Sequence, residues 1–406
     1  MRPIRLAVIF DQQIHAGGGY QQALNAALLT RKVPIDLVQV QFFTTLKENV
    51  ASLESYGIQA ELIRYSLLGK ANALARRKIA SRRLLLALKK FLKYSTLERA
   101  LLRKSIDLVY FISPSNLARE LDQINYITTV WDLSHRDDPE FPEVRWNRQL
   151  EARDKNYCAL LPSATAIFVD SELGKKNVVH RYGIDDERVH VMPFQAAVAT
   201  RESKVLDPST SFDVRKKYHI RVPYVFYPAQ FWSHKNHVYL LEGLRVLEKR
   251  HGLSVGALFS GGDQGNLAYV KFHVHKLNLE DRVHFAGFVN SEEIPELYRQ
   301  SLALVMPSYF GPTNLPPLEA FELGVPVLYS DKAGLRDQVA DAALLMDLSD
   351  PGSLAEHLKM LIDEPQIRIR LIKAGKKRLE YFDSIDRVEV LSKVINDFRW
   401  RRLTWE

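Results

Sequence analysis

Short apolar runs alternate along this chain with longer stretches of helical periodicity. A first set of runs comprises Leu6–Phe10, Ile35–Phe43, Leu108–Ser113, Ile127–Trp131, Ala166–Val169 and Val189–Met192. A second set comprises Tyr224–Tyr227, Gly256–Ser260, Val283–Ala286, Ala303–Pro307 and Val325–Tyr329. Buried runs separated by helices are typical of parallel sheets made of βαβ units. The pattern therefore predicts an α/β protein with two doubly wound parallel-sheet domains in tandem.

The predicted domains span residues 1–197 and 213–384. Between them, the segment Gln195–Asp213 has no periodic pattern and contains Pro208, so we interpret it as the interdomain linker. A later helix should open with Asp350 as N-cap and Pro351 in its first turn. We expect the last helix, 385–406, to pack back on the first domain. A length of 406 residues agrees with two domains, because single cores stop growing at roughly 250–300 residues.

Composition limits the chemistry and the compartment. Cys158 is the only cysteine, so neither an intrachain disulfide nor a cysteine-rich metal site can form, and the cytosol is the expected location. The opening segment is interrupted by Asp11 and reads as a first strand rather than a signal sequence. No stretch reaches the length of a membrane span, so any membrane association is expected to be peripheral.

Positive charge is concentrated in one segment. The net charge is +8, and residues 67–104 carry one acid, Glu98, against a large basic set: Lys70, Arg76, Arg77, Lys78, Arg82, Arg83, Lys89, Lys90, Lys93, Arg99, Arg103 and Lys104. Interleaved leucines suggest amphipathic helices that bind the anionic inner face of the plasma membrane. A solvated helix face packed by its leucines explains the same pattern. Nucleic acid and a phosphorylated substrate are the other candidate partners.

The second half contains a candidate phosphate site. In the segment Pro307–Asp331 a strand is followed by a loop and then by a helix opened by proline. Ligands of parallel sheets bind at the carboxyl ends of strands, where a helix N-terminus attracts phosphate. Lys235 and Asn236 follow another strand and start a helix, which adds a point charge suited to a diphosphate. An ordinary strand-to-helix turn and a solvated lysine are the alternative readings.

A glycine-rich loop lies in the first half. Gly17, Gly18 and Gly19 follow the first strand, where backbone can approach a ligand closely. The later glycine of a dinucleotide fingerprint is absent. A turn needed only for chain reversal is an equally good reading of these three residues.

Taken together, the motifs resemble a known family. They are GGGY from Gly17, WDLSHRDDPEFPE from Trp131, AIFVDSELGKKNVVHRYGIDDERVHVMP from Ala166, YPAQFWSHKNH from Tyr227, LFSGGDQGN from Leu258, DRVHFAGFV from Asp281 and GPTNLPPLEAFELGVPV from Gly311. In this order they are similar to retaining glycosyltransferases of family 4, which have the GT-B fold of two facing Rossmann-like domains. The likeness is to bacterial mannosyl- and rhamnosyl-type transferases of surface polysaccharide synthesis.

The resemblance implies roles for single residues. Glu319 is expected to hold the ribose hydroxyls of the donor, and Lys235 the diphosphate. Asp132 and His135 are candidates for handling the acceptor hydroxyl. The remaining donor contacts are assigned to Gly18, Gly19, Gln230, Phe288, Thr313, Asn314 and Leu315.

The chain also departs from the family pattern at three positions. Gly311 stands where the family has the first of two glutamates, Gln230 where it has an arginine, and Trp131 where it often has a histidine. These departures matter because charge that develops on the leaving diphosphate must be stabilised by fixed donors. A weakened enzyme or a non-catalytic binding homologue therefore stays open beside the active enzyme, which we favour.

The resulting prediction is a retaining hexosyltransferase. It would move mannose or rhamnose from a nucleotide-diphosphate sugar to a saccharide or a polyprenyl-diphosphate-linked oligosaccharide. We expect front-face attack without an enzymic nucleophile. The absence of an Asp-any-Asp motif predicts transfer without metal or other cofactor. A basic nucleic-acid-binding protein is the main alternative, although no nucleic-acid motif supports it, and a GT-B epimerase or phosphorylase is the enzymatic one.

Overall fold

The structure, a computed structural model, describes residues 2–13, 18–78, 93–202 and 212–405. It divides into two compact units. The first contains Met1–Leu133, Leu150–Pro193 and Asp386–Glu406, and the second contains Ser134–Gln149 and Phe194–Ile385. Relative to the predicted ranges, the second unit also contains the internal segment 134–149.

The first unit is built on a seven-stranded parallel sheet with the order β3-β2-β1-β4-β5-β6-β7. Its strands are β1 (Ile4–Phe10), β2 (Val38–Thr44), β3 (Ala60–Leu62), β4 (Leu108–Phe111), β5 (Asn125–Val130), β6 (Ala166–Val169) and β7 (Val189–Val191). Its helices are α1 (Gly18–Thr30), α2 (Glu48–Glu54), α3 (Leu67–Lys78), α4 (Thr96–Arg103), α7 (Gln149–Leu160), α8 (Glu172–Tyr182) and α18 (Arg387–Arg402). The helices α5 and α6 belong to the second unit and follow below.

The central strands of this sheet are buried on both faces. In β1, the side chains of Leu6, Val8 and Ile9 are fully buried, and β1 pairs in parallel with β2 and β4. Strands covered on both faces read as continuous apolar runs instead of an alternating pattern. This explains why the apolar runs in the sequence predicted the positions of these strands well.

The second unit is built on a six-stranded parallel sheet with the order β10-β9-β8-β11-β12-β13. Its strands are β8 (Tyr224–Pro228), β9 (Gly256–Ser260), β10 (Val283–Gly287), β11 (Leu304–Met306), β12 (Val327–Ser330) and β13 (Ala343–Met346). Its helices are α5 (Ser134–Asp137), α6 (Pro142–Arg145), α9 (Val198–Glu202), α10 (Val214–Lys217), α11 (His237–His251), α12 (Leu267–Lys276), α13 (Ile294–Arg299), α14 (Leu315–Glu322), α15 (Leu335–Val339), α16 (Pro351–Asp363) and α17 (Pro365–Asp383). The prediction of an α/β protein with two doubly wound parallel sheets is confirmed.

Two edge strands and one helix were not predicted. β3 and β13 are edge strands whose residues are only partly buried, so they lack the strong apolar signal of central strands. The predicted linker is wrong for residues 195–202, because α9 forms there and the preceding Ala196 and Ala197 are buried. Residues 203–211 of that linker, including Pro208, lie outside the described residues.

Helix boundaries follow the capping rules. The carboxylate of Asp350 accepts a hydrogen bond of 2.8 Å from the backbone N–H of Gly352 at the start of α16, which confirms the predicted cap. Asp386 caps α18 in the same way through the N–H of Glu389. α18 packs against α1 within the first unit, and Arg402 near its end forms an ion pair of 2.8 Å with the buried Asp107.

The structure corrects part of the predicted basic membrane surface. Arg76 is fully buried and forms an ion pair with Asp122, and Arg77 forms one with the buried Glu120. Both ion pairs tie α3 to the first unit, and Arg76 does not face solvent as a docking surface would require, whereas Arg77 is half-buried. Arg82, Arg83, Lys89 and Lys90 lie outside the described residues. Within the described ranges, no helix is both long and apolar enough to cross a membrane.

Candidate functional site

The candidate donor site lies where the strand order of the second sheet reverses. The chain runs outward from β8 to β9 and β10, then returns to β11 on the other side of β8. At such a switch point the loops that follow neighbouring strands diverge and leave a crevice for a ligand at the carboxyl edge. Lys235 follows β8, and the segment Met306–Leu315 connects β11 to α14. The topology therefore brings together the two segments singled out from sequence.

Lys235 is directed at the loop after β11. Its Nζ atom lies 3.5 Å from the Ser308 Oγ atom and 3.4 Å from the Asn314 Oδ1 atom. Its carbonyl accepts a hydrogen bond of 2.9 Å from the hydroxyl of Tyr227, a buried residue of β8. These contacts anchor the main chain of Lys235 on the sheet and leave a half-buried ammonium group at the carboxyl edge.

Asn314 is the N-cap of α14 and is held by a residue that sequence reasoning missed. Its backbone N–H donates to the Gln338 Oε1 atom at 2.9 Å, and Gln338 Nε2 donates back to the Asn314 carbonyl at 2.5 Å. The Asn314 side chain donates to the Tyr329 hydroxyl at 2.7 Å. A phosphate oxygen that used the Asn314 N–H would therefore have to displace Gln338. No local pattern marks Gln338, since it comes from α15, far along the chain.

Gly311 has a backbone conformation that only glycine adopts easily. Its φ is +94°, and a Cβ atom built there would lie 3.0 Å from the carbonyl oxygen of Thr313. Side chains are disfavoured in this region of φ. The glycine that replaces the family's first glutamate is therefore required by the present shape of the loop.

The other predicted donor residues differ in exposure. Gln230 accepts a hydrogen bond of 3.1 Å from the indole N–H of Trp232. Leu315 is buried at the start of α14, and Thr313 is partly exposed beside it. Phe288, which follows β10, has an exposed fraction of 68%. An aromatic side chain of that exposure is available to a ligand without any rearrangement of the core.

Glu319 is buried and already holds protein donors. The Tyr298 hydroxyl donates to its Oε2 atom at 2.9 Å, and the backbone N–H of Ala197 donates to the same carboxyl group. Burial raises the pKa of Glu319, although both hydrogen bonds act in the opposite direction. A ribose hydroxyl would have to share or replace these partners.

His237, at the start of α11, is a fully buried residue close to Lys235. Its ring stacks on Phe231 with a centroid distance of 4.5 Å and contacts Tyr227 and Phe259. Burial, with a contribution from the nearby Lys235 charge, lowers the pKa of His237 to about 3. The ring is therefore neutral at physiological pH and adds no charge to the site.

In the first unit, Gly19 in the first turn of α1 packs against Trp131. A Cβ atom on Gly19 would lie 2.7 Å from the Trp131 ring, so glycine is needed for this close approach. Gly18 begins α1, whereas Gly17 lies outside the described residues. Asp11, after β1, accepts hydrogen bonds from Ser113 and Ser115 after β4. Polar side chains therefore occupy the carboxyl ends of β1 and β4.

The two candidate acceptor residues belong to different units. Asp132, in the first unit, forms an ion pair of 2.7 Å with Arg153. Burial disfavours the charged form of Arg153, but the charge of Asp132 outweighs it and keeps the pKa of Arg153 above its ordinary value. His135, in the second unit, is fully buried in α5. Asp132 is therefore the more accessible of the two.

Among the described residues, no group of three or more histidine, cysteine, aspartate or glutamate side chains is arranged to hold a metal ion. The charge that the donor site presents comes from Lys235 and from the helix start at Asn314.

Comparison with known proteins identifies the class. Residues 212–378 match the family model described as "Glycosyl transferases group 1". This match lies within the second unit, and the predicted resemblance to GT-B glycosyltransferases is confirmed. The structure of the Anabaena protein Alr3699/HepE in complex with UDP-glucose matches with a TM-score of 0.70 at 15% identity, covering 97% of this chain and 98% of that one. WaaG, a glycosyltransferase involved in lipopolysaccharide biosynthesis, matches with a TM-score of 0.65 at 16% identity, covering 96% and 99%.

Two relatives are similar to this chain at low sequence identity. The O-antigen chain mannosyltransferase B of Escherichia coli is 24% identical over 60% of this chain, and the match spans 62% of that relative. The D-inositol 3-phosphate glycosyltransferase of Corynebacterium glutamicum (strain R) is 26% identical over 69% of this chain and 68% of its own length. Both relatives are named as sugar transferases.

Proposed function

We propose that this protein is a retaining, metal-independent hexosyltransferase of family 4 that uses a nucleotide-diphosphate sugar. The observation that carries the proposal is the position of Lys235. Its ammonium group lies at the switch point of the second sheet, next to Ser308 and the helix start at Asn314. A diphosphate placed there meets a fixed positive charge and the positive end of a helix dipole.

In the proposed reaction, the bond between the anomeric carbon and the diphosphate oxygen breaks while the acceptor oxygen bonds to that carbon from the same face. The acceptor proton passes to the departing phosphate oxygen, and the nucleoside diphosphate leaves. Lys235 stabilises the charge that grows on the leaving group, which lowers the barrier more than it strengthens donor binding. Glu319 is proposed to hold the ribose, and Asp132 with His135 to orient the acceptor.

The favoured sugar is mannose or rhamnose, and the favoured acceptor is a saccharide or lipid-linked oligosaccharide of surface polysaccharide. The Escherichia coli relative is an O-antigen mannosyltransferase, which supports this choice. The complex of the Anabaena protein with UDP-glucose supports a nucleotide-sugar donor in general. We place the enzyme in the cytoplasm, at the inner face of the membrane where such acceptors are presented.

A thermal-shift panel of GDP-, dTDP- and UDP-sugars tests the donor. A ligand at about 100 times its Kd adds roughly 2.7 kcal/mol of stability, so one donor class should raise Tm well above the others. Product analysis with that donor and excess EDTA then tests the chemistry. Transfer with retained anomeric configuration in EDTA is expected. Loss of transfer in EDTA that manganese restores would reject the metal-independent mechanism, and release of free sugar phosphate would indicate a phosphorylase.

A further inference from the structure

The segment Ser134–Gln149 is an excursion of the chain into the second unit. Its neighbours in sequence, up to Leu133 and from Leu150, belong to the first unit. Within the second unit this segment contacts the two loops that form the candidate donor site. The Lys332 Nζ atom donates to the Asp138 Oδ1 atom at 3.2 Å and to the Tyr309 carbonyl at 3.0 Å.

Glu143, in α6, forms the closest link to the donor loops. Its Oε1 atom accepts the backbone N–H of His234 at 2.9 Å and also contacts the His234 Nδ1 atom. Its side chain has an exposed fraction of 9%. Burial favours the protonated carboxyl, but the hydrogen bonds from His234 outweigh it and lower the pKa of Glu143 below its ordinary value. The ionised carboxylate of Glu143 therefore contacts both the backbone N–H and the ring Nδ1 of His234.

Glu143 caps a helical turn that has no cap of its own. Residues Ser233–Lys235 form a 3₁₀ turn, and Trp232 at its N-cap position makes no side-chain capping bond. Free N–H groups at the start of a helical turn need an acceptor, and a carboxylate there also interacts favourably with the dipole. Glu143 supplies that acceptor from far along the chain. Lys235 is the last residue of the turn.

His234 also contacts the second donor loop, which is the segment that connects β11 to α14. Its carbonyl accepts the N–H of Tyr309 at 2.9 Å, and its ring stacks on Phe310 with a centroid distance of 4.1 Å and an interplanar angle of 10°. Phe141, two residues before Glu143, packs edge-on against the other side of this cluster at 4.8 Å from Phe310. One carboxylate thus restrains the residue before Lys235 and, through it, the residue before Gly311.

We infer that Glu143 is a positioning residue for the donor site, which acts through His234 to set the place of the Lys235 ammonium group. The inference rests on the proposed function. Lys235 acts on charge that develops in the transition state, so a displaced ammonium lowers kcat more than it weakens donor binding. A displacement of about 1 Å can cost on the order of 100-fold in rate.

The test compares steady-state kinetics of full-length variants, with donor affinity measured by calorimetry. Glu143→Ala should lower kcat by about 10- to 100-fold and change the Kd of the nucleoside diphosphate by less than about 3-fold. Glu143→Gln retains an oxygen that accepts the same two N–H groups, so it should recover kcat to within about 5-fold of the parent, the scale of one net hydrogen bond. Glu140→Ala, an exposed glutamate of the same segment, is the matched control and should leave both constants unchanged.

A double-mutant cycle with His234→Phe separates positioning from general loosening. Phenylalanine keeps a ring to stack on Phe310 and keeps the backbone N–H that donates to Glu143, but it removes the contact between the His234 Nδ1 atom and Glu143. If Glu143 acts through His234, the double variant should lose at least about 5-fold less kcat than the product of the single effects, since residues in contact are not additive. If Glu143→Ala does not fold, Glu143→Gln and His234→Phe carry the comparison alone.

Two results would overturn the inference: parent-like kcat in Glu143→Ala, or a loss confined to donor Kd. In each of these cases the parent enzyme still transfers sugar, so the proposed function stands. Absence of any turnover by the parent with all donors would instead remove the proposed function, and this inference with it.

Discussion

Restoring the family's first glutamate by Gly311→Glu should harm this protein instead of improving it. The φ of Gly311 is +94°, and any Cβ atom would lie 3.0 Å from the Thr313 carbonyl oxygen. A non-glycine residue held in such a backbone region costs about 1–3 kcal/mol. Replacing glycine also reduces the conformational entropy of the unfolded chain, which stabilises the folded protein by about 0.4–1 kcal/mol. The close contact with the Thr313 carbonyl offsets this stabilisation, so we expect the free energy of unfolding to fall by about 1–3 kcal/mol.

A control glycine isolates the effect of this loop. Gly252, after α11, also has positive φ, +65°, but a Cβ atom there meets nothing within 4 Å. Gly252→Ala should therefore cost less than about 1 kcal/mol, the left-handed penalty reduced by the unfolded-state term. Gly311→Ala should cost more than this control, and Gly311→Glu should cost at least as much as Gly311→Ala.

Calorimetric thermal unfolding and transfer kinetics together check this reasoning. For a domain of this size 1 kcal/mol corresponds to about 2–4 °C, so Gly311→Glu should lower the Tm of the second unit by about 2 to 12 °C. Its kcat should fall by about 10-fold or more, because the loop that carries Asn314 moves relative to Lys235. The reasoning is refuted if Gly311→Ala is no more destabilising than Gly252→Ala and Gly311→Glu transfers sugar faster than the parent.

Four further outcomes are expected. Lys235→Ala should lower kcat by about 100-fold or more with a smaller effect on donor affinity by calorimetry, and Gln230→Arg should tighten diphosphate binding through its forked donors; unchanged turnover in Lys235→Ala would place the diphosphate elsewhere. Because burial raises the pKa of Glu319, its contribution to stability is complete below the ordinary glutamate pKa of about 4.3 and is lost as pH rises through the raised value. The Tm of Glu319→Gln relative to the parent should therefore increase between about pH 4 and pH 7.5, and a constant difference would contradict the pKa shift. Arg76→Glu should destabilise the first unit by about 3–5 kcal/mol in denaturant titration, because it places an acid against Asp122 in a buried site; a parent-like midpoint would mean that Arg76 is exposed.

The basic segment shows how tertiary structure changes the meaning of a local pattern. In sequence, Arg76 and Arg77 belong to a cationic stretch interleaved with apolar residues. Their partners Asp122 and Glu120 lie more than forty positions away, so no local window contains them. Test variants for membrane binding should therefore change Arg82 and Arg83 and leave Arg76 and Arg77 intact.

Much of the fold and the class of site could be predicted from sequence because the information is local. Central strands of parallel sheets are apolar along their whole length, as in Leu6–Phe10 and Gly256–Ser260, and caps such as Asp350 act within one helical turn. The strand–loop–helix pattern around Asn314 and the lysine after β8 indicated the carboxyl edge of a sheet. Parallel topology then requires those loops to meet at one edge.

The sequence alone could not identify the interactions that hold the site in place. Gln338 reaches Asn314 from α15, Ala197 of the supposed linker reaches Glu319, and Glu143 reaches His234 from a segment that sequence order assigned to the other domain. Each is a single polar contact between residues far apart along the chain. The spacing of apolar residues within one segment cannot predict such a contact. Local pattern thus determined the elements and the edge at which a ligand binds, whereas only the packed chain decided which distant donors and acceptors orient the residues there.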